Sequence, residues 1–191
     1  ASWTETLYGV VQAFRERRHE IDAQADNLME HLLKANSFGL QSPDEADIIF
    51  HPDKSDDCFK ALMKTADRQW GGFGKAPKFP QTFSIQFLLR HHYFTGEPEA
   101  LEQALLSLDK MIDGGIYDQA GGGFARYSTD AEWLAPHFEK MLYDNALLVS
   151  VLSEGYQLTG KKRYREVIEE TLAFIEREMR HPEGGFYSAL D

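Results

Sequence analysis

Only one cysteine, Cys58, occurs in 191 residues. The chain can therefore close no internal disulfide and offers no Cys pair to zinc or to thiol redox chemistry. A reducing, cytoplasmic setting fits that usage. Basic charge is also scarce: 20 Lys and Arg stand against 31 Asp and Glu, a net charge of −11. Such a surface repels polyanions on average, so nucleic acid is not an expected partner. Long apolar runs are missing too, and no basic stretch followed by an apolar one opens the chain. Neither a membrane span nor a secretory leader is predicted. The first residue is not Met and the last lies just past a turn motif, which reads as a piece of something longer.

What is present in quantity is aromatic surface, with 13 Phe, 8 Tyr and 3 Trp. Side chains of that size argue against disorder, and the length suits one packed core. Apolar residues recur at three- and four-residue spacing from Thr4 to about Ala35 (Leu7, Val10, Val11, Phe14, Ile21, Leu28, Leu32), which predicts one amphipathic helix. The stretch from Gln41 to Asp57, with Pro43, Pro52 and many Asp, reads as an irregular connection. Further helices are predicted from near Asp56 to Trp70, from Thr82 to Phe94, from Pro98 to Gly114, from Pro136 to Leu158 and from Lys162 to Met179. The Pro136–Leu158 segment is apolar on every side and is expected to be the most buried.

One punctuation recurs three times, at Gly71-Gly72-Phe73, Gly122-Gly123-Phe124 and Gly184-Gly185-Phe186. Each follows a helix end and precedes an aromatic-rich loop leading into the next helix. The simplest reading is outer helix, loop, inner helix, repeated; such hairpins cannot bury both faces alone and close sideways into a ring. The fold class expected is all-α, built from helical hairpins in a single partial domain over 1–191. Residues 1–54 form its leading helix and connection, and 55–191 its hairpin repeats.

The segments Trp70-Gly-Gly-Phe-Gly-Lys-Ala-Pro-Lys-Phe-Pro80, Gly114-Gly-Ile-Tyr-Asp118, Arg126-Tyr-Ser128, Trp133-Leu-Ala-Pro-His-Phe-Glu-Lys-Met-Leu-Tyr-Asp-Asn145 and Pro182-Glu-Gly-Gly-Phe-Tyr-Ser188 together resemble the DUF255, or YyaL-type, family. That resemblance implies a thioredoxin-like domain ahead of a ring of six helical hairpins, of which this chain would be a part. The ring resembles the (α/α)6 toroid of six-hairpin glycosidases and of N-acylglucosamine 2-epimerase. It implies a carbohydrate-type pocket of epimerase, isomerase or glycosidase kind, with a sugar-like small molecule as partner. The alternative it leaves open is a non-catalytic helical scaffold that positions the thioredoxin-like domain or binds a protein. Where the family's pattern suggests His after Ile-Tyr-Asp and before Arg-Tyr, this chain has Gln119 and Ala125.

On a helix starting at Pro136, His137, Lys140 and Asp144 fall on one side and Glu139 and Tyr143 on an adjacent stripe. Polar groups entering a buried helix either pair with one another or line a wet cavity. In the pocket reading His137, Glu139 and Asp144 supply acid or base, and Lys140 and Tyr143 bind substrate. The glycine-rich loop from Gly114 to Asp130 adds Tyr117, Asp118, Arg126, Tyr127 and Asp130, where rings suit sugar C–H faces and charged groups suit hydroxyls. In the bland reading the same groups form an internal salt-bridge network and the glycines merely turn the chain.

No metal or cofactor is expected. The adjacent His91 and His92 point to different helix faces and have no ligand partner at metal spacing. His19, His31, His51 and His181 read as surface groups, and Cys58 as a buried or half-buried small residue. A helix apolar all round with few neighbours leaves an uncovered flank, which predicts either pairing with a second copy through the open edges of the partial ring or a sticky, marginal solution state, and no catalysis by this piece alone.

Overall fold

The computed structural model describes residues 2–36 and 53–191. It divides into two compact units, Ala1–His51 and Pro52–Asp191. Most of the irregular connection expected from Gln41, together with His51, lies outside the described residues.

In the first unit the periodic stretch forms two helices rather than one, α1 (Trp3–Glu16) and α2 (Arg18–Asn36). A capping box starts α1: Ser2 Oγ accepts from the Glu5 N–H, and the Glu5 carboxylate accepts from the Ser2 N–H. Arg17 interrupts the run with φ −123° and ψ 31° while its N–H still reaches Ala13 O. The Glu20 carboxylate, paired with Arg17, sits in the first turn of the new helix, where negative charge is favoured, and Asp22 pairs with Arg18 one turn along. Periodicity reports the apolar face but not such a local break.

The second unit holds α3 (Asp53–Met63), α4 (Thr82–Thr95), α5 (Pro98–Asp113), α6 (Leu142–Thr159) and α7 (Lys162–Phe174), which runs on as a π-helical turn over Ile175–Met179. Left-handed Gly96 and Gly160 close the α4–α5 and α6–α7 hairpins. Helix α4 packs against α3, α5 and α6, and α7 packs against α6. Leu88, Leu89, Leu108, Met111, Leu148, Leu152, Tyr164 and Val167 fill the core between these helices. Four two-residue strands complete the unit: β1 (Tyr127–Ser128) pairs antiparallel with β2 (Pro136–His137), and β3 (Lys140–Met141) with β4 (Ala189–Leu190). The all-α hairpin reading therefore holds. Among the described residues no helix is long and apolar enough to cross a membrane.

Four expectations need correction. Helix α3 stops at Met63 rather than Trp70, because Asp67 folds the following residues into a turn. Helix α6 starts at Leu142 rather than Pro136, because residues 136–141 are drawn into ladders with two neighbouring loops. The most buried helix is α5, with seven buried positions against five on α6. Helix α5 is roofed by the first loop, through Ser107 and Gln103 bonds to Gly72, whereas Tyr143, Ala146, Ser150 and Gln157 leave one stripe of α6 open. Cys58 is exposed, not buried.

Candidate functional site

The three Gly-Gly-Phe loops meet at one end of the second unit. Lys78 and Ser128 exchange both backbone bonds at 2.8 Å, tying the first loop to the second. The β3–β4 pair ties the second to the third. Two of the loops carry the same staple. Asp67 Oδ1 accepts from the Gln69 and Trp70 N–H groups, and Lys78 Nζ donates to Asp67 Oδ2 at 2.5 Å and to Gly71 O at 2.9 Å. One repeat later Asp118 Oδ1 accepts from the Ala120 and Gly121 N–H groups, and Lys140 Nζ donates to Asp118 Oδ2 at 2.8 Å and to Gly122 O at 2.9 Å. In the third loop His181 takes the carboxylate's place, its Nδ1 accepting from the Glu183 N–H. Glycine is required in these turns: Gly122 and Gly123 have φ of +78° and +79°, and a Cβ on Gly123 would lie 2.5 Å from the Phe174 ring.

The staples account for part of the sequence-predicted site in structural terms. Asp118 and Lys140 hold each other and the glycine turn; Lys140 and the Gly121 N–H hold the Asp118 carboxyl down at about 2 despite some burial. Tyr117 donates to Glu170 on α7, and burial with that bond pushes its phenol up. Asp130 accepts from the Glu132, Leu134 and Ala135 N–H groups and so shapes its own loop. Tyr117, Asp118 and Lys140 border a cavity of about 360 Å³ rimmed by Phe138, but each is engaged by its own partner. The helical stripe of His137, Lys140 and Asp144 does not exist, since the first two are in extended chain. Phe138, expected on the buried helix, is 84% exposed.

The other six predicted residues do come together. Arg126 N–H bonds to Glu139 O, and Arg126 Nη1 donates to Glu139 Oε2 at 2.9 Å. Tyr127 and His137 face each other across β1 and β2 with rings stacked at 4.8 Å, and Phe79 from the first loop extends the column at a further 4.8 Å. His137 is about half exposed, with Nδ1 4.0 Å from Glu139 Oε2. Asp144, in the first turn of α6, is pushed up to about 6, chiefly by burial; Tyr143 and Arg126 pull it down and Glu139 adds to the rise. Asp144 Oδ2 and Arg126 Nε are both buried without a hydrogen-bond partner. Neighbouring orphaned donor and acceptor atoms are costly in a finished fold and mark a place where a ligand or water belongs. Among the described residues no group of three His, Cys, Asp or Glu side chains is placed to hold a metal ion.

Three supporting residues escaped the sequence reading. Asn145, fully buried, clamps the second loop to α6 by accepting from the Phe124 N–H and donating to Phe124 O and Met141 O. Trp133, equally buried, donates from Nε1 to Trp70 O and lies under Lys78. Asp67 anchors the first staple. Only Asp67 left a signal, an aspartate four residues before each of the first two Gly-Gly pairs, at 67 and 118.

No family model matches the chain. Over 138 residues, 70% of this chain, it is 44% identical to human spermatogenesis-associated protein 20, and it spans 18% of that relative's length. Among solved structures it is similar to cellobiose 2-epimerase from Bacillus thermoamylovorans, with TM-score 0.63 and 15% identity, covering 73% of this chain and 40% of the other. It is also similar to a family 76 glycoside hydrolase, a mannosidase, from Bacteroides thetaiotaomicron, with TM-score 0.62 and 13% identity, covering 81% and 42%. The helical hairpins of this chain thus have the architecture of part of an (α/α)6 toroid, and its sequence is similar to that of spermatogenesis-associated protein 20.

Proposed function

We propose that the Arg126, Tyr127, His137, Glu139 and Asp144 cluster is part of a carbohydrate-type pocket that loosens a proton on the carbon next to a sugar carbonyl, the enolisation step of an epimerase or isomerase. The observation that carries this reading is the pair of orphaned buried atoms, Asp144 Oδ2 and Arg126 Nε, at the end where the loops gather. The exposed faces of the Phe79–Tyr127–His137 column suit the C–H face of a pyranose or its open-chain form. His137, half exposed, stacked on Tyr127 and with Nδ1 4.0 Å from the Glu139 carboxylate, is the base. The part-exposed Arg126 guanidinium supplies positive charge for the oxygen on which charge develops. The similarity of fold to a sugar epimerase supports the substrate class by analogy.

A scaffold reading is favoured by one observation, the internal pairing of Asp118 with Lys140. It predicts no sugar binding at all. Incubation of the full-length protein that carries this chain in D2O with D-mannose, D-glucose and cellobiose separates the two: deuterium uptake at C2, lost on His137→Ala, supports the pocket. No uptake and no sugar-induced chemical-shift change at Tyr127 or His137 supports the scaffold.

A further inference from the structure

Helix α4 carries a histidine, His91, that the loop cluster does not use. Its side chain is 2% exposed and lies between the Phe59 ring, with centroids 4.6 Å apart, and the Phe87 ring at 5.7 Å. The two stacks fix the imidazole plane, so its nitrogens have set directions. Nδ1 lies 3.1 Å from Ser55 Oγ, and Nε2 lies 3.8 Å from Asp56 Oδ1. With the ring proton on Nε2, beside the carboxylate, Nδ1 accepts from the Ser55 hydroxyl. A hydroxyl within hydrogen-bond reach of a base whose other nitrogen faces a carboxylate is the arrangement of an activated nucleophile.

Ser55 and His91 line a cavity of about 340 Å³ whose apolar wall is Phe83, Phe87 and Phe94. Phe83 is 69% and Phe94 81% exposed, and rings left in water gain where an apolar group lies against them. Ser55 is also the third residue of α3. The first four N–H groups of a helix have no acceptor within it and form the positive end of its dipole, so negative charge developing beside Ser55 is favoured there. Nucleophile, base and apolar cavity thus meet in one place that shares no residue with the loop cluster.

We propose that Ser55 and His91 form an esterase site that hydrolyses carboxylic esters with an apolar acyl group, and that Asp56 is a positioning residue whose carboxylate steadies the imidazolium. In the first step His91 Nδ1 takes the Ser55 hydroxyl proton as Oγ bonds to the ester carbon, and the carbonyl π pair moves onto its oxygen. That pair then returns, the bond to the alcohol oxygen breaks, and the leaving alkoxide takes the proton from Nδ1. Acyl-Ser55 and a free alcohol result. Water repeats the sequence: Nδ1 takes one of its protons, its oxygen bonds to the acyl carbon, and Ser55 Oγ leaves with its proton restored. Ester and water become acid and alcohol.

The test treats the full-length protein that carries this chain with a fluorophosphonate, which phosphonylates activated serines, and maps the label by mass spectrometry of its peptides. The label should appear on the Ser55 peptide and vanish from it in Ser55→Ala, a change at an exposed position. Hydrolysis of 4-nitrophenyl butyrate should fall at least about 100-fold in Ser55→Ala and in His91→Ala. In Asp56→Asn, kcat should fall about 10-fold with KM held within about twofold, and Asp56→Glu should restore most of it, a split that a merely structural role would not give. No label on Ser55, or hydrolysis by Ser55→Ala within about threefold of wild type, overturns the proposal while leaving the sugar-pocket reading standing. Because His91 is buried, its alanine variant could fail to fold, and Ser55→Cys then reports on the same base. Exposed Cys58, on the same helix, is the internal reference. The new thiol should react with iodoacetamide at least about 10-fold faster than Cys58, and equal rates refute the role of His91.

Discussion

Lys78 is a cation with no exposed surface, and its replacement by methionine isolates what the first staple contributes. The ammonium group sits 2.5 Å from Asp67 Oδ2 and 2.9 Å from Gly71 O, with the Trp133 ring centroid at 5.5 Å. Methionine keeps the stem and removes the charge, leaving the Asp67 carboxylate to two backbone N–H groups and the Gly71 carbonyl without its donor. Removal of one member of a buried pair costs about 3 to 5 kcal/mol, and the partial exposure of Asp67 sets the expected value near about 3 kcal/mol. Lys140→Met removes the equivalent cation one repeat later. That pair is more open, with the Asp118 side chain 39% exposed, so about 1 to 2 kcal/mol is expected. Against the 5 to 15 kcal/mol typical of whole domains, the difference between the two variants is well within reach of urea unfolding followed by circular dichroism at pH 7, read at constant slope. A Lys78→Met loss below about 1 kcal/mol, or a Lys140→Met loss exceeding it, would refute the argument that burial grades the two staples.

Asn145→Ala leaves the Phe124 N–H and O and the Met141 O without their partner; a loss of about 3 kcal/mol in the same urea experiment is expected. Gly123→Ala forces a Cβ into the Phe174 ring at a left-handed φ, and thermal unfolding should show a loss of at least about 2 kcal/mol, partly restored by Phe174→Leu. The pH dependence has two limbs of opposite sign. Asp118, held at about 2 in the fold, contributes stability that is complete above the ordinary carboxyl value and lost as pH falls from 4 toward 2; this limb should shrink in Lys140→Met. Asp144, raised to about 6, binds its proton more tightly when folded, so stability falls as pH rises from 4 to 6. Stability curves of Asp144→Asn should lack that fall, leaving the variant more stable at pH 7 by about 1 kcal/mol once solvent screening of a half-buried group is allowed for.

Helix type and most helix ends were legible from the chain, because they depend on neighbours within one turn. The runs Thr82–Thr95 and Pro98–Asp113 fall within a residue of the ends read from apolar spacing, Pro98 and the left-handed Gly96. The threefold Gly-Gly-Phe punctuation was equally local, since it reflects a turn that only glycine can make. That the three loops meet at one end follows from hairpins of similar length, and the structure agrees. Sequence spacing could not show that 136–141 is extended. Those residues satisfy a helical period, and only the ladders to Ser128 and Leu190, each across a loop, outweigh it. For the same reason the ten polar residues singled out in the sequence formed one group on paper and two in space. Asp118 and Lys140 close a turn, whereas Arg126, Glu139 and Asp144 share a nest with two unsatisfied atoms. Whether a polar side chain is bound internally or left waiting for a ligand depends on partners distant in the chain, and tertiary packing alone decides it.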